Sequence, residues 1–123
     1  MGQPLALIIE DDRRLSRIFV AALTSVGFDT EFVLDGGEAQ ARIKDVDNPV
    51  PRLILLDLHL PHVSGAEILE TIRAQSHLEG CRVMIVTADL VEGESVRKDA
   101  DLLLIKPVSV TQLQLLAKRL VQA

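Results

Sequence analysis

The feature that most constrains the fold is a run of four aliphatic residues, Leu53 to Leu56, that leads directly into the carboxylate of Asp57. Pro61 interrupts the chain shortly afterwards. A continuous apolar run bounded by turn signals is typical of a strand buried on both faces, inside a parallel sheet. Asp57 is therefore predicted at the carboxyl end of a central strand, where open α/β sheets bind their ligands. On this stretch alone, capping of a loop or helix explains Asp57 equally well.

The length and composition indicate one globular domain spanning residues 1–123, with 48% hydrophobic residues. The single cysteine, Cys81, excludes an internal disulfide and cysteine-rich metal sites, so we expect a reducing, cytoplasmic compartment. A net charge of -5 and an aromatic fraction of 2% disfavour direct contact with nucleic acid. No apolar run approaches the length of about 20 residues that spans a bilayer, so no membrane association is expected.

Five strands are predicted to alternate with helices, which is typical of an α/β fold. The other four strands are predicted over Leu5–Ile9, Asp29–Val33, Arg82–Val86 and Leu102–Ile105, the second of them at a sheet edge. Short connections between strands and helices favour right-handed crossovers and helices on both faces. We therefore predict a doubly wound, five-stranded parallel sheet.

The helices are predicted from apolar residues at helical spacing and from their capping residues. Asp35, Ser64 and Ser109 are predicted to cap three helix starts, and Gly27 to end the first helix. One short helix is expected within the polar segment 89–99. The predicted inward faces contain Leu15, Ile18, Phe19, Ala22 and Val26; Ala39, Ile43 and Val46; Ile68, Leu69 and Ile72; and Leu113, Leu116, Ala117 and Leu120.

Polar side chains follow four of the five predicted strands and meet at one edge of the sheet. These residues are Glu10, Asp11 and Asp12 after the first strand, Asp57 after the third, Thr87 after the fourth and Lys106 after the fifth. Each has an ordinary explanation, such as a helix N-terminus for the acidic run or a solvated lysine. Their convergence favours a functional site.

The chemistry available to this group of residues is narrow. Clustered carboxylates repel one another unless a cation or a proton intervenes, and oxygen ligands without His or Cys favour Mg²⁺. A carboxylate such as Asp57 can act as a nucleophile and form an aspartyl phosphate. Lys106 and Thr87 supply a positive charge and a hydroxyl donor for phosphoryl oxygens.

In their order along the chain, these motifs resemble the receiver domain of bacterial two-component response regulators, of the chemotaxis-regulator type. The matching residues are Glu10-Asp11, Asp57 with Pro61 and Gly65, Thr87-Ala88 and Lys106-Pro107. The resemblance implies a flavodoxin-like strand order and a signalling phosphoacceptor that catalyses only its own phosphorylation and dephosphorylation. It also implies that the phosphoryl group reaches Asp57 from a histidine kinase or phosphotransfer protein, and that phosphorylation switches a downstream effector or output domain.

The resemblance also assigns roles to individual residues. Asp11 and Asp57 would bind Mg²⁺, with Glu10 acting largely through water and the backbone carbonyl of His59 as a further ligand. Ala88 would belong to the phosphoryl-binding residues. Two positions that tune the lifetime of the phosphoryl group correspond to His59 and Asp89.

The sequence departs from the family pattern at Leu103, where the fifth strand usually carries an aromatic residue that reports phosphorylation. The segment from Thr87 to Lys106 is also shorter than in most relatives. We therefore expect a weaker conformational response along the fifth strand.

Three other functions are alternatives to a phosphorylated receiver. A phosphatase of the haloacid dehalogenase type needs a second aspartate where this chain has His59. A flavodoxin-like cofactor binder needs a phosphate loop, which the acidic run Glu10 to Asp12 would repel. A receiver-fold interaction module that works without phosphorylation is the remaining alternative.

Overall fold

The computed structural model describes residues 2–122, which form five parallel strands and five α-helices. The strands are β1 (Leu5–Ile9), β2 (Asp29–Val33), β3 (Leu53–Leu56), β4 (Arg82–Thr87) and β5 (Leu102–Ile105). Their order in the sheet is β2-β1-β3-β4-β5, with every pair parallel. The predicted fold class is confirmed, and β2 lies at an edge as expected.

The helices begin largely where the sequence predicts them. Their bounds are α1 (Arg13–Ser25), α2 (Gly36–Lys44), α3 (Gly65–Ala74), α4 (Leu90–Val96) and α5 (Val110–Gln122). Side chains of Asp35, Ser64 and Ser109 accept hydrogen bonds from backbone N–H groups in the first turns of α2, α3 and α5. Gly27 has a φ of 100°, which only glycine adopts readily. Within residues 2–122, no helix is long and apolar enough to cross a membrane.

Two apolar cores lie on opposite faces of the sheet, as a doubly wound fold requires. In β3, Ile54 and Leu56 belong to the core that contains the buried residues of α2 and α3. Leu53 and Leu55 belong to the other core, which contains the buried residues of α1 and α5. The continuous apolar run of β3 is thus explained by burial on both faces.

Two residues placed on inward faces are exposed, and those predictions are wrong. Ile18 is 40% exposed, because α1 buries the direction shared by Ser16, Phe19 and Leu23. Val46 is 67% exposed, because α2 ends at Lys44 before reaching it.

The strand register sets the position of the site. Ile9 is opposite Leu56, so the chain leaves β1 and β3 side by side, and the Asp57 N–H donates to the Ile9 carbonyl at 3.0 Å. Thr87 is opposite Ile105, and the Lys106 N–H donates to the Thr87 carbonyl at 2.8 Å. Residues 10, 57, 87 and 106 therefore share one edge.

Candidate functional site

Three carboxylates meet beyond the ends of β1 and β3. Glu10, Asp11 and Asp57 each offer an oxygen within 4.8 Å of the others. Glu10 and Asp57 are buried, at 2% and 6% exposure, whereas Asp11 is open to solvent. This arrangement has the oxygen ligands, and the solvent access, that a hard divalent cation needs.

Lys106 lies between the two buried carboxylates. Its Nζ is 2.8 Å from Glu10 Oε1 and 3.3 Å from Asp57 Oδ2. Burial favours the neutral amine, but the hydrogen bond to Glu10 and the charge of Asp57 together raise the pKa of Lys106. Lys106 therefore supplies the positive charge that offsets the carboxylates. Its shorter contact with Glu10 was not predicted from the sequence.

Glu10 is held by two donors, and its surroundings raise its pKa. Burial, reinforced by the charge of Asp57, raises the pKa of Glu10 from 4.5 to about 7, although the hydrogen bond from Lys106 opposes the shift. Its second oxygen accepts the N–H of Asp12 at 3.2 Å. With both oxygens engaged by protein donors, Glu10 is better placed to act on a cation through water than by direct ligation.

The Thr87 side chain is fully buried beside the site. Its Oγ1 accepts the N–H of Asp89 at 3.1 Å, which leaves the hydroxyl proton available for donation. Ala88 is exposed in the bend between β4 and α4. Its role in binding a phosphoryl group stays a prediction.

The backbone and the ring of His59 contact different groups. Its N–H donates to Asp57 Oδ1 at 3.3 Å, so its backbone lies beside the candidate phosphoacceptor. Its exposed ring turns away, with Nε2 at 3.1 Å from Asp89 Oδ2 and 3.2 Å from Glu92 Oε2. Glu92 was not singled out from the sequence, where only its place in the polar segment 89–99 is visible.

The loop after Asp57 is fixed by close approach of α3. The Gly65 N–H donates to the Leu58 carbonyl at 2.8 Å. A Cβ on Gly65 would lie 2.3 Å from the Asp57 carbonyl oxygen and 2.4 Å from Leu58 Cα. The match of Gly65 to the receiver pattern thus has a physical reason, because a side chain at this position would displace the Asp57 backbone.

Leu103 packs under α4. A Cβ on Gly93 would lie 3.0 Å from Leu103 Cδ1 and 3.3 Å from Thr87 Cγ2, so α4 approaches both residues closely. Leu103 is partly buried against the core that contains α2 and α3. Its effect on signalling along β5 stays a prediction.

Comparison with known proteins agrees with this geometry. The sequence profile of the response regulator receiver domain matches residues 6–118. The chain belongs to the response regulator receiver domain family. Membership sets aside the phosphatase and the flavodoxin-like cofactor binder as alternatives, and it places the chain among the receiver domains of two-component response regulators.

The curated relatives of this receiver domain are longer response regulators. The phosphate regulon transcriptional regulatory protein PhoB of Rhizobium meliloti is 31% identical over 122 residues, which cover 97% of this chain and 52% of that protein. The DNA-binding response regulator MtrA of Mycobacterium tuberculosis is 31% identical over 112 residues, covering 87% of this chain and 46% of MtrA. The receiver chain therefore spans about half the length of these relatives.

Solved structures of similar receivers superpose along nearly the whole chain. A CheY-like receiver domain from Methanospirillum hungatei gives a TM-score of 0.87 at 26% identity, covering 98% of this chain and 95% of that one. The receiver domain of the sensor histidine kinase PA1611 of Pseudomonas aeruginosa gives 0.86 at 25% identity over 100% of both chains. That structure holds a magnesium ion in its active-site cleft.

In the absence of divalent cations, the Glu10 contribution to folding stability is expected to fall as the pH rises from about 4.5 to about 7. Because the pKa of Glu10 is higher in the folded state, the folded protein binds more protons in this window. The contribution is complete below the unfolded pKa and is lost as the pH rises through the folded pKa. At 1.36 kcal/mol per pKa unit, it amounts to about 3 kcal/mol at most.

Urea unfolding in EDTA across this pH window tests the expectation. Glu10→Gln keeps the side-chain shape and should flatten the pH profile, whereas Glu70→Gln on the exposed face of α3 should leave it unchanged. Equal profiles for wild type and Glu10→Gln would show that Glu10 does not carry the effect.

Proposed function

We propose that Asp57 accepts a phosphoryl group from the phosphohistidine of a kinase or phosphotransfer protein, and that this modification controls an effector or output domain. The observation that carries the proposal is the burial of Asp57 beside Lys106, Glu10 and Asp11 at the carboxyl edge of the sheet. Asp57 is held there from both sides, by the His59 N–H on Oδ1 and by Lys106 on Oδ2.

The transfer exchanges one bond for another. A carboxylate oxygen of Asp57 attacks phosphorus, a P–O bond forms, and the P–N bond to the donor histidine breaks. The electron pair of that bond stays on the imidazole nitrogen. Lys106 and the Thr87 hydroxyl stabilise charge on the phosphoryl oxygens, and positioning and electrostatics supply most of the catalysis.

The residues present fit a magnesium ion. Asp11 and Asp57 would hold it directly, Glu10 would act through water, and the backbone carbonyl of His59 would be a further ligand. When bound, Mg²⁺ neutralises the charge of the carboxylates and of the incoming phosphoryl group. The receiver domain of PA1611, with magnesium in its cleft, supports this assignment by similarity.

The output of the switch is proposed from the relatives. PhoB is named a transcriptional regulator and MtrA a DNA-binding response regulator, and this chain spans about half of each. We propose that 1–123 acts as a single receiver domain in the cytoplasm, controlling a partner or an attached output domain rather than contacting nucleic acid itself. Its net charge of -5 supports the absence of direct contact with nucleic acid, which is itself negatively charged.

Phosphorylation by a small acyl phosphate tests the function without knowledge of the kinase. The intact mass of the protein should gain one phosphoryl group in excess Mg²⁺ and none in EDTA. The adduct should be lost on prolonged incubation, because aspartyl phosphates hydrolyse. Absence of an adduct under both conditions would favour the interaction module that works without phosphorylation.

A further inference from the structure

Three side chains converge beside the candidate site, outside the group that contains Glu10 and Asp57. His59 Nε2 lies 3.1 Å from Asp89 Oδ2 and 3.2 Å from Glu92 Oε2. The three donor atoms come from two separate parts of the chain, the loop after β3 and the start of α4, and lie within 4.8 Å of one another.

The distances of the Asp89 and Glu92 oxygens from His59 Nε2 suit a shared metal ion. Zinc binds imidazole nitrogen and carboxylate oxygen at about 2.0–2.2 Å. For ligand angles between octahedral and tetrahedral values, such bonds place neighbouring donor atoms about 2.8–3.6 Å apart. Both distances from His59 Nε2 fall in this range.

A cation also resolves an imbalance within the cluster. One imidazole nitrogen faces two carboxylates and carries at most one proton, so it forms a good hydrogen bond with only one of them. Among residues 2–122, Asp89 forms one ion pair and Glu92 forms one ion pair, and the partner in each case is His59. Lys106 pairs instead with Glu10 and Asp57, and Arg97 pairs with Glu94.

The cluster is also prepared for ligation. Asp89 Oδ1 accepts the N–H of Glu92 at 2.9 Å, which orients the carboxylate and leaves Oδ2 to point at His59. The same hydrogen bond, followed by that of His59, lowers the pKa of Asp89, so the carboxylate is ionised. His59 is 62% exposed at its side chain, which gives an ion and its remaining water ligands access.

We propose that His59, Asp89 and Glu92 form a second metal site, which takes a divalent first-row transition cation such as Zn²⁺. The imidazole donor favours this class over Mg²⁺, which prefers oxygen ligands. The site joins His59, two positions after Asp57, to Asp89, two positions after Thr87. Occupancy therefore ties together the two loops that border the candidate phosphorylation site. Metal binding at this site does not require phosphorylation of Asp57.

Zinc titration of the full chain tests the proposal, with calorimetry for affinity and side-chain NMR of the histidine rings for location. In excess Mg²⁺, wild type should bind one Zn²⁺ and the largest imidazole shift should belong to His59. His59→Ala and Glu92→Gln should each weaken binding at least about tenfold, because loss of even an outer-shell partner costs that much. Both positions are partly or fully exposed, so both variants should fold.

Two control variants separate this site from its neighbours. Among residues 2–122, the ion pair of His62 is with Asp35, at 3.6 Å, so His62→Ala should leave zinc binding unchanged. Asp11→Asn removes a ligand of the other carboxylate group and should also retain binding. Zinc affinity that survives His59→Ala, or that disappears in Asp11→Asn, would overturn the proposal and locate the ion elsewhere.

Discussion

Asp57→Asn is expected to carry no phosphoryl group after incubation with Mg²⁺ and a small acyl phosphate, whereas wild type carries one. The amide nearly preserves the shape of the side chain but removes the negative charge and the nucleophilic oxygen that form the acyl phosphate bond. Asp57 is buried beside Lys106, so a phosphoryl group carried by Asp57 would lie next to a fixed positive charge. The effect should therefore be all or none in an intact-mass spectrum.

Asp29→Asn serves as the matched control, because Asp29 is an exposed aspartate at the start of β2, far from the carboxyl edge. It should be phosphorylated like wild type. An adduct on Asp57→Asn would mean that another carboxylate accepts the group, with exposed Asp11 the first to be examined.

Much of this fold follows from patterns that depend only on neighbours in sequence. The aliphatic run of β3 predicts a strand buried on both faces, and the capping positions of Asp35, Ser64 and Ser109 predict helix starts. The wrong predictions concern residues whose burial depends on how the helices end and pack in the fold. Ile18 has the spacing expected of the apolar face of α1. The face that is buried, however, is centred on Phe19 and Leu23, and Ile18 lies outside it.

The same division applies to the site. Parallel strands bring their carboxyl ends to one edge, so the sequence predicts that Glu10, Asp57 and Lys106 are neighbours. It does not predict that Lys106 approaches Glu10 more closely than Asp57, because that depends on side-chain conformations of residues 96 positions apart. The meeting of His59 with Glu92 likewise requires the turn that places α4 over the loop after β3.

Gly65 shows how a motif residue gains a physical meaning only in three dimensions. From the sequence it is the residue after the capping Ser64, where alanine would be a better helix former by about 1 kcal/mol. In the fold, the first turn of α3 rests against the backbone of Asp57 and Leu58, and there is no room for a side chain. For a change of Gly65 to alanine, helix propensity would therefore raise the stability and the lack of space would lower it. The short distances to the backbone indicate that the lack of space is the larger effect.

Gly65→Ala is expected to lower the free energy of unfolding by about 3 kcal/mol, the upper end of the usual cost of overpacking. The added Cβ would lie 2.3 Å from a backbone oxygen and 2.4 Å from a backbone carbon. Neither contact can be relieved by rotating a side chain, so α3 or the loop that follows Asp57 must move. Urea unfolding measures the loss, and phosphorylation by an acyl phosphate should also slow, because the moving backbone belongs to Asp57.

Gly37→Ala is the matched control, since Gly37 also lies in the first turn of a helix and its added Cβ would meet only Asp35 Oδ1, at 3.4 Å. There the helix propensity of alanine should prevail, and stability should rise by up to about 1 kcal/mol. Opposite signs for the two variants would establish that close backbone approach, rather than glycine flexibility, is what position 65 requires. A stabilising Gly65→Ala would instead show that α3 can retreat from Asp57 at little cost, and that the loop is less firmly held than its contacts indicate.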